Sequence, residues 1–198
     1  MKRCDWVGSD PIYVAYHDTE WGVPEYDGRV LWEKLILEGF QAGLSWITIL
    51  KKRENFREAF AGFDPDGIAN WGEAEVEHLL QNPGIVRHRG KIEATINSAR
   101  AWQDIERSTG FAPFIWSYVD YKPIQNRWMS VTDLPASTFL SKRLSHDLQK
   151  AGFRFCGPTI VYSFMQACGL VNDHLVTCPR YSIVSALGAK VYDFSPSS

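Results

Sequence analysis

Apolar residues recur at helical spacing along most of this 198-residue chain. In LWEKLILEGF, which begins at Leu31, they fall three and four positions apart, and GKIEATINSARAW places Ile92, Ile96 and Trp102 on one face. Alternation of apolar and polar residues over the length of a strand is scarce. The sequence therefore predicts an all-α fold.

Start and stop signals divide the pattern into separate helices. The run KKRENFREAF predicts a helix that continues to about Phe60, and Asp64-Pro65 and Gly72 predict two helix starts. The stretches STFLSKRLSHDLQK and TIVYSFMQACGL predict two further helices that end at Gly152 and Gly169. We expect one domain over residues 1–185, or two small lobes, and a flexible tail over 186–198.

Composition excludes several classes of protein. No run of about 18 apolar residues predicts a membrane span, and the first residues lack the apolar core of a secretory signal. These features predict a cytoplasmic protein, in which the four cysteines serve in packing or metal binding rather than in disulfides. The formal charge of −2 predicts no global attraction to nucleic acid, so any DNA contact would use local patches.

The stretch LQKAGFRFCGPTIVYSF reads as helix, short turn and helix, with Gly152 and Gly157 in the turn. This is the plan of a helix-hairpin-helix, in which glycines allow close approach to a phosphate and the second helix offers free N–H groups. Lys150 and Arg154 flank the turn. A plain pair of antiparallel helices is the alternative.

Two further features suggest a site. His174 and Cys178 are four residues apart in NDHLVTC, which predicts that both lie on one face of a helical turn, where they could share a metal. A small buried cysteine is the alternative. Aromatic residues also cluster early in the chain, and they predict either ordinary core packing or a stacking pocket: Trp6, Tyr13, Tyr16, Trp21, Phe40 and Trp46.

Four long stretches give the chain a resemblance to a known family. RCDWVGSDPIYVAYHDTEWGVP, LEGFQAGLSWITILKKRENFREAF, GIVRHRGKI and GFRFCGPTIVYSFMQACGLVNDH are similar to the 3-methyladenine DNA glycosylase I family of bacterial alkylation-repair enzymes. The resemblance covers about residues 1–180 and implies a helix-hairpin-helix glycosylase fold.

The resemblance also implies a structural zinc ion. The positions that match the family's ligands are Cys4, His17, His174 and Cys178. Two cysteines and two histidines fill a tetrahedral site and leave no position for water or substrate, so the metal would join the two ends of the chain rather than react. Asp18 and Asp173 adjoin the histidines, either as partners of the ligands or as solvated carboxylates.

The same resemblance selects Glu38 as the carboxylate that binds the damaged base. On spacing alone Glu38 would form a surface ion pair with Lys34, one helical turn earlier. By resemblance Tyr16 shares the hydrogen bonding and Trp46 stacks on the base. The wall of the pocket is completed by Tyr13, Trp21 and Trp6.

Contacts with the duplex are expected at two turns. Leu44 is a candidate wedge on the turn that also contains Gln41 and Gly43, with Gln41 near the opposite base; a helix staple is the alternative for Leu44. The predicted hairpin supplies Gly152, Gly157, Lys150 and Arg154. Two basic runs, KKR from Lys51 and RHRGK from Arg87, are weaker candidates for phosphate contacts.

The function that follows is excision of 3-methyladenine from alkylated double-stranded DNA by a monomeric, monofunctional glycosylase. The hairpin lacks the lysine with which bifunctional glycosylases form a Schiff base. Two alternatives remain: a non-catalytic zinc-stapled module that binds damaged or bent DNA, and a hydrolase in which the zinc is catalytic.

Overall fold

A computed structural model describes residues 2–189, 192 and 194. The described residues are mostly helical, as predicted. The α-helices are α1 Pro11–Thr19, α2 Gly28–Gln41, α3 Trp46–Ala59, α4 Pro65–Ile68, α5 Glu73–Leu80, α6 Arg89–Ser108, α7 Phe111–Trp116, α8 Phe139–Lys150, α9 Pro158–Ala167 and α10 Pro179–Gly188. Short 3-10 helices span Asp5–Val7, Ala61–Phe63, Ser117–Val119 and Val131–Asp133.

Side-chain caps explain where several helices begin. Asp10 accepts a hydrogen bond from the backbone N–H of Ile12 and is followed by a proline at the first helical position. Asp27 accepts from the backbone N–H groups of Arg29 and Val30. Asp64 caps α4 in the same way, so the helix start predicted at Asp64-Pro65 is confirmed.

The predicted boundaries hold to within a few residues. The helix predicted to reach Phe60 ends at Ala59, and α5 follows directly after Gly72. Helices α1, α7 and α10 were not predicted. The structure also contains two strands of two residues each, in which Ile124 and Gln125 pair in parallel with Val171 and Asn172. The all-α prediction did not include these two short strands.

Helix α2 lies at the centre of the main core, where it packs against α3, α6, α7 and α9. Its residues Leu31, Trp32, Leu37 and Phe40 are fully buried or nearly so. A second, smaller cluster joins the first segment of the chain to the last one, because Cys4 and Val7 pack with Leu175 and Cys178. The two ends of the fold therefore meet beside α1.

The region predicted as a tail, 186–198, begins within α10, which continues to Gly188. Beyond the helix, the ring of Tyr192 stacks on Tyr26 with a centroid separation of 4.1 Å. The remainder of the predicted tail, at 190, 191, 193 and 195–198, lies outside the described residues. No described helix has both the length and the hydropathy needed to cross a membrane.

Candidate active site and metal cluster

A cavity opens between α1, the C-terminal half of α2, the start of α3 and α9. Its volume is about 190 Å³, and it is open to solvent. All six aromatic and acidic residues predicted for the base pocket line this one cavity. The full lining is Trp6, Tyr13, Tyr16, Trp21, Glu38, Gln41, Trp46, Leu134, Ser163 and Gln166.

Glu38 brings a carboxyl group into this cavity from the last turn of α2. Its side chain is only 3% exposed, and its Oε2 atom has no hydrogen-bond partner in the described part of the chain. Burial raises the pKa of Glu38 to about 8, and the positive charge of Lys34 opposes that shift. The surface ion pair with Lys34 that spacing alone predicts is therefore wrong, because the carboxyl group faces the cavity instead.

Aromatic rings surround the carboxyl group. Tyr16 and Trp46 lie with ring centroids 5.6 Å apart, and Trp6 packs against Trp21 at 4.9 Å in an edge-to-face arrangement. The Nε1 atom of Trp46 is also buried, with no hydrogen-bond partner among the residues that the structure describes. Unpaired polar atoms are rare in a core and ordinary in a site that awaits a ligand. The aromatic cluster is thus the wall of a pocket as well as part of the core.

Sequence reasoning missed three lining residues. Ser163 and Gln166 lie three positions apart on α9, so one face of that helix is directed into the cavity. Two polar residues at this spacing within the apolar run TIVYSFMQACGL were a usable signal. Leu134 follows a short 3-10 helix, and no local pattern marks it. Gln41, which was predicted to lie near the opposite base, also lines the cavity.

A buried lysine stabilises the turn between α2 and α3 through hydrogen bonds to its backbone. The Nζ atom of Lys91 donates hydrogen bonds to the carbonyl oxygens of Phe40 and Ala42, at 2.9 and 2.7 Å. Gly43 has φ +83° and open space where a Cβ atom would lie. Leu44 is 44% exposed at the rim of the turn. A rigid turn thus presents an apolar side chain to solvent beside the pocket.

The second turn joins α8 to α9. Gly152 has φ +109°, a conformation that favours glycine, and Gly157 is the N-cap of α9. Lys150 and Arg154 are both exposed, and the guanidinium of Arg154 lies 5.8 Å from the ring centroid of Phe155. Helix, turn and helix therefore follow one another as predicted, with two exposed cations at the turn.

In the other two basic runs, KKR at 51–53 and RHRGK at 87–91, several cations form ion pairs within the protein. Arg53 donates to Glu20 at 2.6 Å, and Lys51 pairs with Asp10 at 2.6 Å. Arg89 pairs with Glu73 at 2.7 Å. These cations are partly neutralised, so they offer weaker phosphate contacts than the turn between α8 and α9.

Cys4, His17, His174 and Cys178 converge behind the pocket, and all four are buried. Their ligand atoms lie within 4.8 Å of one another. Cys178 Sγ is 3.6 Å from His17 Nε2 and 3.8 Å from His174 Nδ1, and Cys4 Sγ is 3.7 Å from the same Nδ1 atom. Zinc bond lengths of about 2.0 and 2.3 Å to nitrogen and sulfur give tetrahedral edges of roughly 3.3 to 3.8 Å. The three sulfur–nitrogen separations fall within that range, as a tetrahedral zinc site would require.

The remaining ring nitrogens of the two histidines are also satisfied. His17 Nδ1 lies 2.8 Å from Asp18 Oδ1, and His174 Nε2 lies 3.0 Å from the carbonyl oxygen of Trp21. Each ring can therefore donate from one nitrogen and direct the other toward a metal. Burial lowers the pKa of His174 to about 4, which keeps that ring neutral, as a metal ligand must be.

Two details differ from the sequence-based expectations. His174 and Cys178 are not on a helical turn; they lie in a loop, and Cys178 is the N-cap residue of α10. Asp173 is neither solvated nor bonded to a histidine, because it is 1% exposed and accepts hydrogen bonds from Tyr162 and Gln166. Asp18, by contrast, contacts His17 and is held by Arg3.

The cluster forms part of the support for the pocket wall. The ring of Trp21 lies 4.6 Å from that of His174, and the ring of Trp6 lies 5.4 Å from that of His17. Both tryptophans line the cavity on their other side. The position of the wall thus depends on the position of the four ligands.

A cavity with a buried carboxyl group and several aromatic rings, on a helical fold, is a candidate binding site for a flat ring with hydrogen-bonding groups. The family of methyladenine glycosylases matches this chain over residues 6–181. The chain belongs to that family.

Individual relatives and solved structures support this family membership. The chain is 54% identical to DNA-3-methyladenine glycosylase 1 of Escherichia coli (strain K12), over 91% of this chain and 97% of the relative. It is similar to a crystal structure of 3-methyladenine DNA glycosylase I, with a TM-score of 0.88, 58% identity and coverage of 89% and 98%. A Tyr-to-Phe variant of such an enzyme in complex with 3-methyladenine matches with a TM-score of 0.89, 39% identity and coverage of 97% and 100%.

The raised pKa of Glu38 predicts a pH dependence of stability. Folding raises this pKa from 4.5 to about 8, so the native state binds the proton more tightly than the unfolded state does. The stabilisation is complete below about pH 4.5 and is lost as the pH rises toward 8. We expect wild-type protein to lose about 3 kcal/mol of unfolding free energy relative to Glu38→Gln between pH 5 and pH 8.

Urea denaturation of both proteins at several pH values measures this difference. Every other titrating group is common to the two proteins, so the difference isolates Glu38. Stability curves that run parallel across the whole range would contradict the burial of an unpartnered carboxyl group.

Proposed function

We propose that this protein is a monofunctional DNA glycosylase that flips 3-methyladenine out of alkylated double-stranded DNA and hydrolyses its glycosidic bond, as the first step of base excision repair. The observation that carries the proposal is the buried Oε2 atom of Glu38, which has no hydrogen-bond partner in the described part of the chain and lies in an aromatic pocket. Membership of the methyladenine glycosylase family and the names of its relatives support the same activity.

The chemistry of the substrate suits this pocket. Methylation at N3 leaves adenine with a positive charge, and cleavage of the glycosidic bond removes that charge, so the base is already a good leaving group. Selective capture therefore matters more than strong acid catalysis. A cationic purine over the face of Trp46 gains on the order of 1 to 2 kcal/mol from cation–π attraction, which a normal adenine does not.

The protonation state of Glu38 depends on whether the cationic base is bound. In the free pocket, burial holds its pKa at about 8, so the carboxyl group is mainly protonated at neutral pH. A cationic base beside it favours the ionised form, and the proton leaves as the base enters. The carboxylate and the hydroxyl group of Tyr16 then bind the base, and the negative charge stabilises the oxocarbenium ion that forms on the sugar. Water completes the reaction, since no lysine lines the pocket in the described residues.

Zinc is proposed as a structural ion held by Cys4, His17, His174 and Cys178. Its role would be to fix the two ends of the chain and, through them, Trp6 and Trp21. The fit of the four ligand atoms supports this role, and so does the complete use of the tetrahedral positions by protein groups. The zinc-hydrolase alternative loses support for the same reason.

The proposal includes a monomer that acts in the cytoplasm. The four cysteines form no disulfide among the described residues, which is consistent with a reducing compartment. The turns at Gln41–Leu44 and at Gly152–Gly157 would contact the duplex, as a wedge and as a phosphate-binding helix-hairpin-helix respectively. The exposure of Leu44 and of the cations Lys150 and Arg154 supports these assignments.

Base release from methylated duplex DNA, resolved by chromatography, tests the activity. We expect release of 3-methyladenine but not of 7-methylguanine. Glu38→Gln should lower the rate about 10- to 100-fold, the effect of losing a charged contact worth ~1.5 to 3 kcal/mol. The matched control is Glu58→Gln near the end of α3, outside the pocket, which should leave the rate unchanged.

The alternatives predict different results. Binding of the DNA without any base release, in both wild-type protein and Glu38→Gln, would support a non-catalytic binding module. Release that is unaffected by Glu38→Gln would retain the enzyme and reject this account of its pocket.

Removal of a proposed zinc ligand should destabilise the protein. Cys178→Ala should reduce the bound zinc below one ion per chain and lower the unfolding temperature by more than about 10 °C, because a structural site contributes folding free energy directly. Atomic emission and thermal denaturation measure the two effects. Cys156→Ala removes another buried thiol that is not a ligand, and it should keep the zinc. A folded, metal-free Cys178→Ala protein with lost activity would favour a catalytic metal.

A salt titration tests the proposed DNA contact at the second turn. Arg154→Gln should weaken binding to duplex DNA of any sequence and reduce the slope of log K against log salt by about 1. Its binding of free 3-methyladenine should not change. Arg107→Gln, at the exposed end of α6, is the control. An unchanged salt slope for Arg154→Gln would remove the turn from the DNA interface.

A further inference from the structure

The pocket contains a second polar group whose direction is determined by its neighbours. Gln166 on α9 lines the cavity, and its Nε2 atom donates a hydrogen bond to Asp173 Oδ2 at 2.7 Å. Within the described residues no donor is paired with Gln166 Oε1. The amide therefore has one end anchored outside the pocket and one end free.

Asp173 can anchor only the NH2 end of that amide. The carboxylate accepts four hydrogen bonds: from Trp128 Nε1 at 2.8 Å and Asn126 Nδ2 at 2.6 Å on one oxygen, and from Tyr162 Oη at 2.6 Å and Gln166 Nε2 at 2.7 Å on the other. An ionised carboxylate is an acceptor only, so it rejects the Oε1 end of the glutamine. The carbonyl oxygen of Gln166 is thus turned away from Asp173.

We infer that Gln166, oriented by Asp173, presents a fixed hydrogen-bond acceptor to the base and selects purines that carry an exocyclic amine over purines that carry a carbonyl group at the same position. An adenine ring offers an N–H donor there, whereas guanine and hypoxanthine offer an oxygen. Two acceptors facing each other lose a hydrogen bond and leave both groups unsatisfied in a dry pocket.

Different residues of the pocket would therefore recognise different features of the base. Glu38 and the aromatic rings recognise the positive charge of an alkylated base, which 3-methyladenine shares with 7-methylguanine. Gln166 distinguishes the two ring types by the substituent and not by the charge. Asp173 does not touch the base in this scheme; it is a positioning residue. The inference rests on the proposed function and adds the selection between ring types.

The test compares two free bases that differ at one substituent: 3-methyladenine, and 3-methylhypoxanthine, which has a carbonyl group in place of the amine. Calorimetric titration gives the ratio of the two dissociation constants for each protein. Gln166→Met keeps the side-chain length and removes the acceptor. We expect it to lower the preference for 3-methyladenine about tenfold, the effect of one lost hydrogen bond. Gln81→Met, at the exposed end of α5, should retain the wild-type ratio.

A second variant reverses the orientation of the amide. In Asp173→Asn the Oδ1 atom must remain opposite Trp128 Nε1, which can only donate, so the new NH2 group faces Tyr162 and Gln166. Gln166 would then turn its oxygen toward Asn and its NH2 group toward the base. We expect this variant to prefer 3-methylhypoxanthine. Zinc content and unfolding temperature verify that it is folded.

The ratio of the two dissociation constants separates a loss of recognition from a general distortion of the pocket. A distorted pocket would bind both bases more weakly and leave the ratio unchanged. An unchanged ratio in Gln166→Met would overturn the inference, whatever Asp173→Asn does. Failure of the wild-type protein to bind either base would instead reject the proposed function, and the inference with it.

Discussion

The pocket depends on contact between the two ends of the fold. Cys4 and His17 from the first segment face His174 and Cys178 from the last one, and Trp6 and Trp21 rest directly on the two imidazole rings. Helix α2 alone could hold Glu38, but it could not surround the carboxyl group with aromatic rings. Apart from Trp46, which begins α3, those rings come from α1 and its flanking segments, which pack mainly in the small second cluster.

Two buried carboxyl groups near the cavity differ in how they are satisfied. Asp173 accepts four hydrogen bonds and is fully satisfied. Glu38 has an oxygen with no partner among the described residues, and burial of its carboxyl group raises its pKa. Keeping such a group ionised without a counter-charge would cost about 5 kcal/mol for a pKa of about 8. A cationic ligand removes that cost, so affinity and charge selectivity have the same origin.

Sequence reasoning recovered the elements that repeat a simple pattern. Helices α2, α6 and α8 have capped starts and one apolar face, so their existence could be predicted. Helix α1 could not, because its aromatic residues face a cavity and no plain apolar stripe appears; α10 buries only Val184. The resemblance identified the pocket aromatics and Glu38. It did not identify Leu134 or Gln166, which reach the pocket only through the packing of distant segments.

The contacts between the two ends span an unusually long stretch of chain. Cys4 meets His174 and the backbone of Leu175 across 170 and 171 positions, and His17 meets Cys178 across 161. Contacts between the two ends cannot form until both ends have been synthesised. A ribosome that has synthesised α1 through α9 has therefore produced every aromatic side chain of the pocket but not the segment that holds them in place. During synthesis these rings remain without their final support until the last helix emerges, and this is the interval in which a nascent chain most needs protection from aggregation.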